Sequence, residues 1–196
     1  MTPSENKGSK EIDLPKFECT KCGACCKDTE ILVTVTDGDI LRISRTLELA
    51  PNEMLRALDF YITEPDTPPP TGLEKIPAIQ TERGLAYVAL KKMENGDCIF
   101  LKDDQCMIHP IRPMVCRSFP FVFSVSNNQR NWGLSAKQEI CPGLGTGSKV
   151  SKTELDSLAK EVLTDFEAYR KFADSWNSRS ESCNAFDFIN EILSMK

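Results

Sequence analysis

The sequence predicts an α+β protein: an irregular, cysteine-rich core with short β-hairpins, packed by short N-terminal helices and two C-terminal helices. Two observations predict this class. Eight of the nine cysteines lie before residue 142, where short β-branched runs alternate with turn residues. After residue 150, apolar residues recur at helical spacing in two segments. A core so poor in regular segments needs another source of order, and the cysteines are the candidates.

The chain divides into three predicted parts. Residues 1–15 are polar and lack periodicity, which is typical of a disordered tail. Residues 16–150 contain all the clustered cysteines and form one predicted domain, with a proline-rich surface loop at 64–77. Residues 151–196 form a helical extension that we expect to pack on the same domain.

The N-terminal elements are a strand and two short helices. Residues 30–36 are rich in β-branched side chains and predict the strand. Asp37 or Asp39 is a candidate cap for a helix ending near Leu47, and Pro51 begins the next helix. The predicted buried face of that second helix consists of Met54, Leu55 and Leu58. The pair resembles a helix-turn-helix in outline, but it lacks a basic face, and the net charge of −5 argues against nucleic-acid binding.

The middle of the domain is predicted to hold short strands joined by turns. The Asn-Gly-Asp sequence at 95–97 predicts a turn, and another turn is predicted at 127–128. The predicted strands cover residues 85–90, 98–101, 119–125 and 132–136.

The C-terminal part predicts two amphipathic helices. The first begins near Ser151 or Thr153, and the second covers residues 185–195. We expect their apolar stripes to cover the cysteine-rich core. The stripe of the first helix contains Leu155, Leu158, Ala159, Val162, Leu163, Phe166, Tyr169 and Phe172, and that of the second contains Phe186, Ile189 and Leu193.

The first cysteine group is Cys19-x-x-Cys22-x-x-Cys25-Cys26. Two residues between cysteines let neighbouring thiolates converge on one metal, and Gly23 permits the tight turn this requires. The side chains of the adjacent Cys25 and Cys26 are expected to point in different directions. We therefore expect them to serve two centres, or one to bind metal while the other packs or reacts.

A disulfide framework is the alternative, and several features disfavour it. Nine is an odd number of cysteines, and a disulfide between adjacent cysteines is strained. The first ten residues lack the apolar core of a signal peptide, so we expect a cytoplasmic, reducing location. No apolar run approaches the roughly 20 residues needed to cross a bilayer, so no membrane association is expected.

The second cysteine group is Cys98, Cys106, Cys116 and Cys141. Buried thiolates accumulate negative charge, which is costly unless it is offset. Arg112 and Arg117 flank Cys116, and we expect both to donate to the sulfurs and offset that charge.

Two further residues complete the candidate set. His109 is the only histidine. We expect it to donate a hydrogen bond to a cysteine sulfur or a carbonyl, with direct metal ligation as the alternative. Cys183 lies outside every motif, and we expect a buried thiol that binds no metal.

The combined motifs resemble the YkgJ-type CxxCxxCC cysteine-cluster family, which is described as zinc- or iron-chelating. They are CxxCxxCC, C-x-I-H-x-x-R-P-x-x-C-R-x-F-P and C-P-G-x-G-x-G, in that order between Cys19 and Gly147. The resemblance implies metal chelation through eight cysteines: Cys19, Cys22, Cys25, Cys26, Cys98, Cys106, Cys116 and Cys141.

The spacing favours iron–sulfur over zinc. Three cysteines at two-residue spacing and a remote Cys141-Pro142 resemble the ligand run of a ferredoxin, which favours one or two [4Fe–4S] clusters. Zinc is the alternative, as two four-cysteine sites. Gly143, Gly145 and Gly147 are expected to let the backbone approach the centre closely. A nucleotide-binding glycine loop is disfavoured, because no apolar strand precedes it.

Three functional classes follow from these predictions. The first is a redox or electron-transfer protein, or a metal-dependent accessory factor, acting with an unidentified protein partner. The second is a structural zinc module that provides an interaction surface. The third is part of a metal-dependent modification enzyme, because a similar cysteine cluster occurs in the flagellin lysine methylases.

Overall fold

The computed structural model describes residues 14–63, 73, 76–127, 129–179 and 183–195. The tail predicted at residues 1–15 and the loop predicted at 64–77 lie largely outside these ranges. The described chain contains both helices and short strands, which confirms the α+β class. No helix within it is long and apolar enough to cross a lipid bilayer.

The described chain contains six α-helices, one 3₁₀ turn and nine β-strands. The helices are α1 (Ala24–Lys27), α2 (Asp37–Leu47), α3 (Pro51–Arg56), α4 (Met114–Ser118), α5 (Lys152–Asn177) and α6 (Ala185–Ser194), with a 3₁₀ turn at His109–Ile111. The strands are β1 (Lys16–Phe17), β2 (Leu58–Ile62), β3 (Ile79–Thr81), β4 (Gly84–Leu90), β5 (Leu101–Lys102), β6 (Gln105–Cys106), β7 (Phe121–Ser126), β8 (Gln129–Leu134) and β9 (Leu144–Lys149).

An antiparallel three-stranded sheet in the order β2-β4-β3 forms one side of the fold. The central strand β4 is buried along most of its length, as expected for an apolar strand with neighbours on both edges. The strand predicted at residues 30–36 reduces to a single bridge between Thr34 and Ala89. Leu58, predicted on a helix, instead pairs with Leu90 in the sheet, because α3 ends at Arg56.

Helix α2 begins with a capping box. The Thr36 hydroxyl accepts a hydrogen bond from the Asp39 N–H at 3.1 Å, and the Asp39 carboxylate accepts one from the Thr36 N–H at 3.2 Å. The helix therefore starts where the sequence predicted, but its cap is Thr36 and not Asp37 or Asp39.

The two C-terminal helices share a core with the sheet and α2. Tyr169, Trp176 and Phe188 are fully buried there, and the Trp176 indole N–H donates to the Gln80 carbonyl at 2.8 Å. The N-terminal half of α5 packs on the β7–β8 hairpin through Leu155 and other apolar side chains. One long helix thus spans the sheet and the cysteine-rich region.

The cysteine-rich region consists of short elements. The β5–β6 hairpin turns at Asp103 and Asp104, both with left-handed backbone, and is followed by the 3₁₀ turn and α4. Of the strand predicted at 98–101, Cys98 forms one bridge with Lys92 and Leu101 begins β5. Strands β1 and β9, which are remote in sequence, pair and close this region.

Candidate metal centre

The first cysteine group lies on a tight loop, which carries Cys19 and Cys22, and on the short helix α1 that follows it. Gly23 has a φ of +71°, and a Cβ at this position would lie 2.6 Å from the carbonyl oxygen of Asp104. Only glycine fits without displacing the β5–β6 turn. The loop keeps two cysteines near the surface and delivers two towards the interior: Cys19 and Cys22 are exposed, Cys25 is half-buried and Cys26 is buried.

The second group arrives from four separate pieces of chain. Cys106 lies in β6, Cys116 in α4 and Cys141 just before β9. The Cys98 N–H donates to the Cys26 carbonyl at 2.8 Å, so the backbone itself joins the two groups.

Two adjoining cavities meet at the cysteines. The smaller cavity, of about 70 Å³, is lined by seven of them: Cys19, Cys22, Cys25, Cys26, Cys106, Cys116 and Cys141. The larger cavity, of about 540 Å³, is lined by five: Cys25, Cys26, Cys98, Cys106 and Cys116. Four cysteines therefore form a wall common to both cavities, and all eight predicted ligands are brought to this one region.

The donor set and charges of the smaller cavity fit a soft metal. Besides its thiols, the cavity is lined by two cationic side chains, Lys21 and Arg112, and by no carboxylate among the described residues. Thiolates bind iron–sulfur clusters and zinc in preference to hard metal ions such as magnesium. The positive charges of Lys21 and Arg112 offset the negative charge of the thiolates. About 10–15 Å³ admits one water, so the cavity has room for an inorganic group. No three His, Cys, Asp or Glu side chains of the described ranges already stand in chelating positions around one point.

Hydrogen bonds between thiols divide the cysteines into proton donors and acceptors. The side-chain hydrogen bond with Cys26 lowers the pKa of Cys25 to about 7 and that of Cys106 to about 6. Hydrogen bonds to Cys106 and Cys25 in turn raise the pKa of Cys26, which keeps its proton. Burial raises the pKa of Cys98, Cys116 and Cys141. The adjacent Cys25 and Cys26 are thus in contact, and their expected division between two centres stays a prediction.

His109 lies between a thiol and a guanidinium. Its Nε2 is 3.8 Å from Cys19 Sγ, and its Nδ1 is 3.2 Å from Arg112 Nη1. Since a guanidinium can only donate, Nδ1 is the acceptor and the hydrogen lies on Nε2, from which it donates to the sulfur. Burial, with the charges of Arg112 and Lys21, lowers the pKa of His109, which favours this neutral form. The geometry favours a hydrogen-bonding role for His109 over metal ligation.

The two predicted arginines have different surroundings. Arg112 lines the smaller cavity and donates to the His109 carbonyl at 2.7 Å and to the Cys116 carbonyl at 3.3 Å. Arg117 is not brought to the cysteines; its guanidinium instead pairs with Glu161 of α5 at 2.8 Å. The reason is helical: consecutive residues of α4 point about 100° apart, so Cys116 faces inward while Arg117 faces α5.

A buried carboxylate that was not among the predicted site residues holds the α4 segment in place. Asp39 is fully buried and accepts hydrogen bonds from the Met114 N–H at 3.0 Å and from Arg42. Arg42 also donates to the carbonyl of Arg112 at 3.1 Å. The T-x-x-D spacing of the capping box, with an arginine three residues later, is the sequence signal for this brace.

The glycine run after Cys141 serves a backbone contact. A Cβ on Gly143 would lie 2.3 Å from the Glu18 carbonyl oxygen, and one on Gly147 would lie 2.7 Å from Glu18 Cβ. The sequence predicted that these glycines let the backbone approach the metal. Gly143 and Gly147 make close contact with Glu18, which precedes Cys19, and of the three glycines only Gly143 lines the smaller cavity.

Cys183 lies apart from the eight. It is buried beside α5 and α6, and its thiol donates to the Trp176 carbonyl at 3.9 Å. None of the nine cysteines forms a disulfide.

Comparisons with known proteins agree with this geometry. A family model described as "CxxCxxCC: Putative zinc- or iron-chelating domain" matches residues 18–142, more than half of the chain. An uncharacterized protein of the archaeon Methanocaldococcus jannaschii is 27% identical over 154 residues, covering 75% of this chain and 68% of the relative. No solved structure matches. The matched residues begin just before Cys19 and end just after Cys141, so they enclose every cysteine at the two cavities.

Proposed function

The chain belongs to the CxxCxxCC family of zinc- or iron-chelating domains, and from this premise we propose that it binds two [4Fe–4S] clusters and acts in electron transfer with a protein partner. The observation that carries the proposal is that all eight family cysteines line two adjoining cavities. Bound clusters would supply one-electron chemistry, which thiols alone do not.

Four of the eight cysteines line one cavity only, and the other four line both. Three cysteines, Cys19, Cys22 and Cys141, line only the smaller cavity, and Cys98 lines only the larger one. Cys25 lines both cavities and completes the Cys-x-x-Cys-x-x-Cys run that begins with Cys19 and Cys22. We assign an outer centre to Cys19, Cys22, Cys25 and Cys141, and an inner centre to Cys26, Cys98, Cys106 and Cys116.

Both the spacing of the cysteines in the sequence and their meeting at one cavity favour an iron–sulfur cluster at the outer centre. The Cys-x-x-Cys-x-x-Cys run and the remote Cys141-Pro142 meet at one cavity, as in a ferredoxin ligand set. Phe17 and Phe119 line the same cavity and limit access of water and oxygen.

The two assigned centres are joined through consecutive residues. Cys25 belongs to the outer set and Cys26 to the inner one, and their sulfurs are in contact. This contact provides a short route between the centres. The exposed Cys19 and Cys22 mark the edge at which a partner would exchange electrons.

A structural zinc module is the second candidate, because two sets of four thiolates also satisfy tetrahedral zinc. Visible absorption and electron paramagnetic resonance of anaerobically purified protein separate the two. We expect a brown protein whose colour bleaches on reduction with dithionite. A colourless protein with bound zinc would replace our proposal by the second candidate, and a protein without metal would contradict both.

A further inference from the structure

The larger cavity is far bigger than the voids of an ordinary core. Protein interiors are close-packed, with few spaces larger than a water molecule. At about 540 Å³, this cavity falls within the size range of small-molecule sites. It lies between the Thr34 edge of the sheet, the α4–β7 segment and α5.

The walls of the larger cavity combine five thiols with aliphatic and aromatic side chains. The apolar lining includes Val33, Leu90, Ile108, Phe121, Phe123 and Phe166. Among the described residues that line the cavity, the single charged side chain is Glu30, and none is basic. Glu30 and Val122 are exposed, so they mark the mouth.

We propose that the larger cavity binds an apolar small molecule with an uncharged or cationic end, and holds it against the inner centre. Transfer of apolar surface from water into such a cavity is favourable. An anionic ligand would meet Glu30 and no basic side chain in the lining, and desolvating its charge would be costly. Binding itself rests on the cavity, whereas contact with a metal rests on the proposed function.

Three probes of equal length test the charge preference. Metal-loaded protein is titrated anaerobically with hexanol, hexylammonium and hexanoate by calorimetry, and its visible spectrum is recorded at each addition. We expect hexanol and hexylammonium to bind at least tenfold more tightly than hexanoate and to perturb the spectrum. Equal affinity for all three, or no binding by hexanol, would overturn the proposal.

Two variants locate the binding. Val122→Trp narrows the mouth at an exposed position, and Val33→Phe fills the interior. Val125→Trp is the control, because Val125 is exposed on the same strand but does not line the cavity. We expect Val122→Trp to weaken hexanol binding at least tenfold, with iron content and control binding unchanged. Val33→Phe, if it folds, should do the same.

Two outcomes separate this proposal from the proposed function. Hexanol binding that survives Val122→Trp would overturn the proposal. Hexanol binding that occurs only after metal removal would also overturn it, because the bound metal would then fill the larger cavity. Iron content is measured independently of the titrations. Its absence would contradict the proposed function, and with it the placement of the ligand against a metal.

Discussion

Arg112 both holds the backbone around Cys116 by hydrogen bonds and places a positive charge beside the thiols. Its guanidinium donates to the His109 carbonyl and ring and to the Cys116 carbonyl. Its positive charge contributes to the lowered pKa of Cys25 and Cys106. One side chain therefore fixes the loop before α4 and stabilises two thiolates of the common wall.

The substitution Arg112→Gln is expected to lower the reduction potential of the centres. Reduction adds negative charge, which the variant no longer offsets, so reduction becomes less favourable. Arg117→Gln is the matched control, because Arg117 pairs with Glu161 and lines neither cavity. Anaerobic redox titration measures both. A potential for Arg112→Gln equal to or above that of the control would contradict the role of Arg112.

Cysteine substitutions test the division into two centres. Cys141→Ser should remove the outer centre and Cys98→Ser the inner one, so each should lose about half of the bound iron. Cys183→Ser should retain all of it, because Cys183 bonds to a carbonyl of α5. Iron analysis of the anaerobically purified variants measures the loss. Loss of all iron from either single variant would contradict two separable centres.

For single residues, the sequence predicted correctly which side chains lie together when the spacing of the cysteines was the signal. The eight cysteines were predicted from their pattern and lie together, and the hydrogen bond from His109 to a sulfur was expected. The direction of Arg117 could not be predicted, because adjacency to Cys116 in sequence becomes an angular separation once α4 forms. The metal ligation itself stays a prediction.

Among the elements, α2 acts as a brace for the cysteine-rich loops. Its first turn carries Asp39, whose carboxylate binds the N-terminus of α4, and Arg42, which binds the carbonyls of Ile111 and Arg112, follows one turn later. A buried carboxylate with such partners is stable only while they remain.

The substitution Asp39→Asn should destabilise the protein by about 2–3 kcal/mol, because it leaves Arg42 without its carboxylate in a partly buried site. Urea unfolding of the metal-loaded protein measures the change. Glu161→Gln breaks the exposed pair with Arg117 and should cost under about 1 kcal/mol. Equal losses for the two variants would contradict the brace.

The contact between α2 and α5 should make stability depend on pH. Burial, and then the charge of Asp39, raises the pKa of Asp165 to about 6. In the unfolded chain, the pKa of an aspartate is about 4. Because the folded pKa is the higher one, the contribution of Asp165 is full below about pH 4 and is lost as the pH rises through 6.

Asp165→Asn should therefore be more stable than wild type at pH 7, by about 1 kcal/mol after solvent screening, and the difference should shrink towards pH 5. The asparagine oxygen can still accept the bond from the Thr36 hydroxyl. Asp174→Asn, exposed on the same helix, is the control. Urea unfolding at several pH values measures the difference, and a stabilisation that grows as the pH falls would contradict the raised pKa of Asp165.

Regular elements were predictable from the sequence when their signals are local. Helices α5 and α6 and strand β4 follow from apolar periodicity and caps, and the turn at Asn127 follows from its residues. The pairing of β1 with β9 was not predicted, because its partners lie more than a hundred residues apart. Helix α4 is too short for a periodic signal and begins where Asp39 binds its N-terminus.

Over the whole molecule, two regions differ in what stabilises them. The sheet and the helices α2, α3, α5 and α6 share an extensive apolar core. The region between Leu101 and Ser118 consists of two-residue strands and one-turn helices. Bound metal would contribute folding free energy mainly to this second region.

The content of iron, acid-labile sulfide and zinc per chain, measured after anaerobic purification, tests the central claim most directly. Two [4Fe–4S] clusters predict about eight iron and eight sulfide with negligible zinc, following four of each per cluster. About two zinc ions without iron, or no metal at all, would contradict that claim.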